Sequence, residues 1–241
     1  MQKYKEHEIE WTDEQVSRLW DYYSTTPPYN TMYFTKSYAS DILNKASKHI
    51  DINDKVVLDF GCGAGYLIDE ISSKYSPDKY YALDFSQRSI DIVKNKKLSF
   101  KMEPILATQF PCSIPSNSVD ICFFIEVIEH LNDKHLKSSL LEIHRILKKD
   151  GILIITTPNN ELLNDKKVFC PDCGSIFHKW QHQRSWNKGT LNTEMKSFNF
   201  KTEIIKEINL KTTRIMVNLV RSLKAIVKRS PPSNLVGIFR K

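Results

Sequence analysis

The feature that most constrains the fold is an apolar strand that runs directly into a glycine-dense turn, residues Val57–Gly65. Gly61, Gly63 and Gly65 alternate in that turn. Without a β-carbon the backbone can approach a ligand closely, and positive φ angles cost little. Because a helical pattern follows at once, the segment predicts a strand–turn–helix unit with backbone N–H groups at the carboxyl end of a parallel strand. Open α/β sheets bind nucleotides at that edge.

The acid that ends the next predicted strand favours a nucleoside ligand. Tyr80–Asp84 has the pattern of a second buried strand, and Asp84 follows Gly65 by nineteen positions. A carboxylate there can accept hydrogen bonds from both hydroxyls of a ribose. Alone, Asp84 is equally typical of a solvated loop, and its distance from the glycine turn favours the ribose role. The spacing G-x-G-x-G is neither the G-x-G-x-x-G of pyrophosphate binders nor a P-loop.

The middle of the chain alternates between strand and helix patterns. Strands are expected at 55–60, 79–84, 102–107, 119–125 and 151–157, and helices at 66–75, 87–97 and 133–148. The last of these helices is expected to end in a basic turn followed by Gly151. This alternation predicts a parallel sheet covered on both faces. Two further strands, about 199–207 and 235–240, are expected to complete the sheet.

Five segments resemble class I S-adenosylmethionine-dependent methyltransferases in order and spacing: VLDFGCGAG, YYALDFS, FPCSIPSNSVDICFFIEVIEHL, RILKKDG and ILIITTPN. The resemblance covers residues 50–160 most strongly. It implies an α/β, Rossmann-like, seven-stranded and mostly parallel sheet, with helices on both faces and the last strand antiparallel. It also implies S-adenosylmethionine as cofactor, and it says much less about the methyl acceptor.

The resemblance assigns cofactor contacts to eight residues, which are Asp59, Gly61, Gly63, Gly65, Asp84, Phe85, Thr108 and Glu126. The glycines make room for the methionine and adenosine parts, and Asp59 orients the turn and the amino group. Asp84 binds the ribose, and Phe85 packs on adenine. Thr108 stands where family members often carry an acid that accepts from the adenine amino group, so adenine recognition departs from the family pattern here.

Glu126, Glu129 and His130 form an E-x-x-E-H motif just after the fourth core strand. If the turn is helical, the three side chains share one face. Glu129 and His130 are the candidate catalytic residues, with His130 as general base for an acceptor hydroxyl. Alternatively, all three bind a divalent ion, as in the quinone O-methyltransferases and RNA 3′-end methyltransferases that share the motif. A purely structural or cofactor-positioning role is the third reading.

A second candidate metal site follows the fifth core strand. Cys170, Cys173, His178 and His182 have C-x2-C-x4-H-x3-H spacing, which predicts a zinc-knuckle-like insertion. A redox pair or two free thiols are the alternatives. In the metal-using relatives a histidine resembling His182 joins the E-x-x-E-H cluster, so His182 is expected in one site or the other.

The chain divides into four predicted parts: a helical cap over 1–50, the cofactor-binding core over 51–160, the knuckle-like insertion over 161–195, and the last strands over 196–241. The cap begins at a capping-box pattern, Thr12 to Gln15. Its aromatic residues are expected either to pack in the core or to form a wall over the acceptor site.

Charge is concentrated at the end of the chain. Residues 196–241 contain 11 Lys and Arg against 2 Glu, while the preceding residues are close to neutral. A basic amphipathic helix is expected over 214–229, either on an anionic membrane or packed on the domain. General nucleic-acid binding is disfavoured by the near-neutral body. The polar N-terminus predicts a cytoplasmic protein, with peripheral contact at the inner face of the membrane as an option.

Together these features predict methyl transfer from S-adenosylmethionine to a small or lipid-linked acceptor, at an oxygen. The alternatives are a non-catalytic zinc-knuckle scaffold on the same fold and an RNA methyltransferase. The first would fail to bind S-adenosylmethionine, and the second would bind RNA with a steep salt dependence.

Overall fold

The computed structural model describes residues 5–212 and 231–241. Its strands are β1 (His7–Glu8), β2 (Val56–Phe60), β3 (Lys79–Asp84), β4 (Met102–Leu106), β5 (Val119–Ile125), β6 (Leu147–Pro158), β7 (Lys167–Phe169), β8 (Ser175–His178), β9 (Lys201–Ile208) and β10 (Asn234–Arg240). Its α-helices are α1 (Asp13–Thr25), α2 (Phe34–Ala46), α3 (Tyr66–Ser72), α4 (Gln87–Lys94), α5 (Asp133–Ile146) and α6 (Lys188–Ser197).

Seven strands form the main sheet in the order β4-β3-β2-β5-β6-β10-β9. Only β10, the last strand of the described chain, runs antiparallel to its neighbours β6 and β9. The strand order reverses between β2 and β5, which places the carboxyl ends of these strands at the topological switch point where open α/β sheets bind ligands. The predicted Rossmann-like fold is confirmed.

Two apolar layers cover the sheet because alternate residues of each strand point to opposite faces. Val57 packs with α2, α3 and α4, whereas its neighbour Leu58 packs with α5 and α6. Both side chains are fully buried. Burial on both faces explains why the strand sequences are continuously apolar instead of alternating.

One predicted boundary was wrong. Helix α5 ends at Ile146, and Leu147 already pairs with Val119 of β5. The basic residue Lys148 therefore belongs to an extended segment, where its Nζ lies 2.8 Å from the Asp120 carboxylate. The turn before Gly151 is made by Asp150 at a φ of +62°. Lys148, which the sequence pattern placed at the end of the helix, instead forms an ion pair between two neighbouring strands.

A second, three-stranded sheet lies outside the main one, in the order β1-β8-β7. It joins the start of the chain to the segment that carries the cysteines, and no sequence pattern had indicated it. Helix α1 begins at the predicted capping box, in which Thr12 and Gln15 exchange side-chain and backbone hydrogen bonds. The boundary drawn at residue 195 falls inside α6, whose Leu191 and Met195 pack in the core.

Candidate functional site: a glycine turn beside a histidine–carboxylate cluster

The glycine turn lies at the carboxyl end of β2 and is held against β3. The backbone N–H of Gly61 donates to the carbonyl of Leu83 over 2.7 Å. Gly61 has a φ of +86°, and a β-carbon there would lie 2.5 Å from Cγ2 of Val127. Position 61 therefore requires glycine for its backbone conformation and for the close approach of the turn that follows β5.

Asp84 ties the turn to the end of β3. Its carboxylate accepts hydrogen bonds from the backbone N–H groups of Gly63, at 2.8 Å, and Ser86, at 2.9 Å. Burial raises the pKa of Asp84 to about 6, against the opposing effect of these hydrogen bonds. A carboxylate has about four acceptor positions. The backbone N–H of Phe85 also contributes, and in the predicted ribose role the remaining acceptor capacity would take ligand hydroxyls.

The other predicted cofactor residues lie around the same edge. Asp59 is buried at the end of β2, and burial raises its pKa to about 7, partly offset by the Tyr80 hydroxyl. Phe85 is 47% exposed at this edge. Ala107 donates its backbone N–H to the carbonyl of Asp84, which brings the exposed Thr108 to the same edge.

The N-terminal cap closes over this edge. The ring of Tyr33 lies 3.2 Å from the position of a β-carbon at Gly63. Asp21 of α1 accepts a hydrogen bond from the Ser86 hydroxyl over 3.1 Å. The neighbouring residue on α1, Trp20, packs edge-on against the His130 ring, with ring centroids 5.0 Å apart. The cap thus contacts both the glycine turn and the E-x-x-E-H segment.

The E-x-x-E-H segment is an irregular turn and not a helix, because Glu126 has a φ of +51°. The hydroxyls of Thr156 and Thr157 on β6 donate to Glu126 and Glu129, over 2.8 Å and 3.0 Å respectively. Burial raises the pKa of both carboxyls, to about 8 for Glu126, and the nearby Glu126 further raises that of Glu129. Glu129 is almost fully buried and Glu126 partly so, and the repulsion between the two carboxylates favours protonation or a nearby cation.

Glu129, His130 and His182 form a compact candidate metal-ligand set, with one donor atom of each within 4.8 Å of the others. Glu126 is not in this set, and its positive φ shows that the predicted Glu126–Glu129–His130 grouping does not form one helical face. Glu129 is 1% exposed. Its Oε1 and the Nδ1 of His130 make no hydrogen bond within the described part of the chain.

Glu161, which the sequence analysis missed, orients His182. Its carboxylate accepts a short hydrogen bond from Nδ1 of His182 and pairs with Lys166 Nζ at 2.5 Å. With its Nδ1 hydrogen donated to Glu161, His182 presents the lone pair of Nε2. Metal-ligating histidines are commonly held by such a carboxylate. Glu161 follows the carboxyl end of β6 by three residues, and that position is the signal that would have identified it.

The predicted knuckle is not assembled as a four-ligand set: neither Cys170 nor Cys173 belongs to a three-ligand group in residues 5–212 and 231–241. From Ser175 the chain is extended as β8, which carries His178 roughly 10 Å away from the cysteine turn. Nδ1 of His178 instead accepts hydrogen bonds from the backbone N–H groups of Trp180 and His182, over 3.3 Å and 3.1 Å.

The predicted basic helix over 214–229 lies outside the described residues. Of the helices in the described ranges, none is both long enough and apolar enough to cross a membrane.

Comparison with known proteins gives consistent results. A methyltransferase-domain family model matches residues 32–204. An uncharacterized protein of Methanocaldococcus jannaschii is 34% identical over 126 residues, which are 52% of this chain and 50% of that one. The mitochondrial ubiquinone biosynthesis O-methyltransferase of Dictyostelium discoideum is 26% identical over 179 residues, 65% of this chain and 54% of that one. The chain spans about half the length of these relatives.

Among solved structures, the 1,6-didemethyltoxoflavin-N1-methyltransferase of Burkholderia thailandensis superimposes with a TM-score of 0.60 at 14% identity. The match covers 99% of this chain and 93% of that one. That enzyme was solved with its substrate and S-adenosylhomocysteine. At this identity the likeness supports the fold alone. The family match extends over most of the chain, and we conclude that this protein belongs to the methyltransferase-domain family.

Proposed function

We propose that this chain transfers the methyl group of S-adenosylmethionine to an oxygen of a small or lipid-linked acceptor. One observation carries the proposal: a single turn contacts both halves of the candidate site. Val127 packs on Gly61 of the glycine turn. Two residues later, Glu129 and His130 face His182. A cofactor bound at the glycines would therefore lie next to groups that can bind or deprotonate an acceptor.

The residues at the glycine turn would position the cofactor for the reaction. Methyl transfer from a sulfonium is an in-line displacement, so its rate depends on holding donor and acceptor in register and excluding water. Asp84 would hold the ribose and Phe85 the adenine, with Thr108 at its edge. Asp59 and Glu126 would face the methionine part, where the glycines leave room. Trp20 and Tyr33 of the cap would exclude water from above.

On the acceptor side, the donor set fits a divalent ion. One carboxylate and two imidazoles suit Zn²⁺, Mn²⁺ or a similar ion. Oε1 of Glu129 and Nδ1 of His130, which have no hydrogen-bond partner among the described residues, also fit it. Glu129, His130 and His182 would hold the ion, which when bound would lower the pKa of an acceptor hydroxyl. Without an ion, His130 is the candidate base, since burial lowers its pKa and keeps it neutral.

The O-methyltransferase relative from Dictyostelium supports oxygen as the methylated atom. The cytoplasm, with peripheral membrane contact through residues 214–229, remains our expected location for a lipid-linked acceptor.

The test uses methyl-labelled S-adenosylmethionine with the full chain and host extract, split into organic and aqueous phases. We expect enzyme-dependent label that is lost in Asp84→Asn and retained in Asp91→Asn. Label in the organic phase identifies a lipid-linked acceptor, and nuclease-resistant aqueous label a small one. Nuclease-sensitive label would overturn the proposal in favour of RNA, and absence of cofactor binding would favour a scaffold.

A further inference from the structure

The cysteine turn has the backbone geometry of a metal-binding hairpin, although its predicted histidines are elsewhere. It connects β7 to β8. The backbone N–H of Cys170 donates to the carbonyl of Ser175 over 2.8 Å, and that of Gly174 to the carbonyl of Cys170 over 3.0 Å. Gly174 has a φ of +81°, which folds the turn back on itself. Both thiols are free.

A different histidine faces these thiols, across the small sheet. Strand β1 pairs in parallel with β8, with His7 opposite Ser175. The Ser175 hydroxyl lies 2.7 Å from Cys173 Sγ and 3.4 Å from His7 Nε2. One hydroxyl therefore separates the imidazole from the thiol. Both His7 and Cys173 are exposed, so small adjustments of the two side chains can bring Nε2 and the thiol to one ion.

The tautomer of His7 suits metal binding. Its Nδ1 lies 3.0 Å from the carbonyl oxygen of Lys5, a contact that favours the tautomer with the hydrogen on Nδ1. Nε2 then carries a lone pair directed toward Ser175 and Cys173. Metal-ligating histidines typically donate the other ring N–H to a carbonyl or carboxylate in this way. His178 is the opposite case, because two backbone N–H groups occupy its Nδ1 lone pair.

We propose that Cys170, Cys173 and His7 bind one Zn²⁺, with the fourth position open to solvent. Two thiolates and an imidazole form a soft ligand set that selects zinc. Binding releases the thiol protons to solvent. The site is separate from Glu129, His130 and His182, and it does not depend on the proposed methyl transfer.

Zinc here would fasten the N-terminal cap to the hairpin. Four residues after His7, the Trp11 ring packs edge-on against Phe177 of β8, with centroids 5.7 Å apart. Helix α1 follows and carries Trp20 to His130. A two-residue strand contributes little stability by itself. A metal bridging β1 and the hairpin would therefore hold the start of α1 in place and, through it, the cap over the candidate site.

Co²⁺ titration of the metal-free full chain tests this proposal. Thiolate–cobalt charge-transfer absorption distinguishes the cysteine site from the histidine–carboxylate cluster. We expect the band in the wild-type chain and in His182→Ala, and its loss in Cys173→Ser. His7→Ala should weaken cobalt affinity at the cysteines at least tenfold, whereas His49→Ala, which removes another exposed histidine, should not.

A second readout guards against misfolded variants. In the wild-type chain, Zn²⁺ should slow alkylation of Cys170 and Cys173 and slow proteolysis before α1, and in His7→Ala the protection against proteolysis should be lost. No thiolate band in the wild-type chain would overturn the site. Equal cobalt affinity in His7→Ala and His49→Ala would overturn the assignment of His7.

Discussion

Val127 closes on Gly61 so tightly that a β-carbon at position 61 would lie 2.5 Å from its Cγ2 atom. The contact joins the turn after β2 to the turn after β5. Both follow strands that are hydrogen-bonded neighbours in the sheet. The cofactor half and the chemical half of the proposed site are therefore parts of one packed unit, and a change in either turn is expected to affect the other.

Gly61→Ala should lower both stability and cofactor affinity. The substitution combines a strained positive φ with overpacking against Val127, which together cost about 2 kcal/mol or more. Urea unfolding measures the free-energy change. Adding Val127→Ala should remove the steric part and leave the backbone strain, so the double variant should be less destabilised than the sum of the single ones. Gly189→Ala, at a position without positive φ, is the matched control; a similar loss there would contradict the account.

Asp84 should make cofactor binding depend on pH. Its pKa of about 6 lies above the ordinary 3.8, so the folded chain retains a proton in that interval. Its contribution to stability is therefore fully present below about pH 4 and is lost as pH rises through 6. Cofactor affinity should change in the opposite direction, because the ionised carboxylate is the better acceptor for ribose hydroxyls.

Calorimetric titration with S-adenosylhomocysteine from pH 5 to pH 8 tests the Asp84 prediction. Affinity should rise through pH 6 in the wild-type chain and in the exposed-site control Asp91→Asn. Asp84→Asn should bind about 10- to 100-fold more weakly at pH 8, the cost of losing hydrogen bonds to a charged group. It should also lose the part of the pH dependence centred near pH 6, whereas the part due to Asp59, whose pKa is raised to about 7, should remain. An unchanged affinity in Asp84→Asn would exclude the ribose role.

Glu129→Gln should separate ion binding from folding. The amide keeps the shape and can still accept from the Thr157 hydroxyl, while it removes a buried carboxyl whose pKa is raised by burial. The metal-free variant should therefore be at least as stable as the wild-type chain. Mn²⁺ should raise the melting temperature of the wild-type chain and of Glu10→Gln but not of Glu129→Gln. Equal shifts in all three would mean that the ion binds elsewhere.

Glu161→Gln should weaken binding of the same ion, although Glu161 is not one of its proposed ligands. The Gln amide keeps an acceptor for the Nδ1 hydrogen of His182 but removes the negative charge that raises the basicity of its Nε2, and comparable changes weaken metal binding about 10- to 100-fold. Lys166→Met removes the lysine partner of Glu161 and should leave His182 oriented. Mn²⁺ titrations of the two variants decide the point. An effect from Lys166→Met as large as that from Glu161→Gln would indicate a general structural role for the pair.

The fold was predictable because strand and helix patterns alternate strongly through the core and both sheet faces are apolar. Asp84 and the glycines were predictable for the same reason: they lie at fixed distances within one strand–turn–helix unit. His182 was left open between two sites, because local spacing does not show which way a loop residue faces.

The remaining features depend on contacts between distant segments. The partnership of Glu161 with His182 spans 21 positions, and that of His7 with Ser175 spans 168. C-x2-C-x4-H-x3-H spacing also suggested a closed knuckle, but β8 extends the chain between the cysteines and His178. Sequence spacing predicted the candidate ligand types here, whereas the strand geometry determines which of their side chains lie together.

The proposed role of Glu129, His130 and His182 in methyl transfer is tested by two measurements on Glu129→Gln. One is the rate of methyl transfer from labelled S-adenosylmethionine in host extract, and the other is the affinity for S-adenosylhomocysteine. We expect the affinity of Glu129→Gln to lie within about twofold of that of the wild-type chain. Its methyl-transfer rate should be at least a hundredfold lower, because a general acid–base or ion-binding group contributes a rate acceleration of about 10²–10⁴-fold. Full transfer activity in Glu129→Gln would contradict the assignment of Glu129, His130 and His182 as the chemical half of the site.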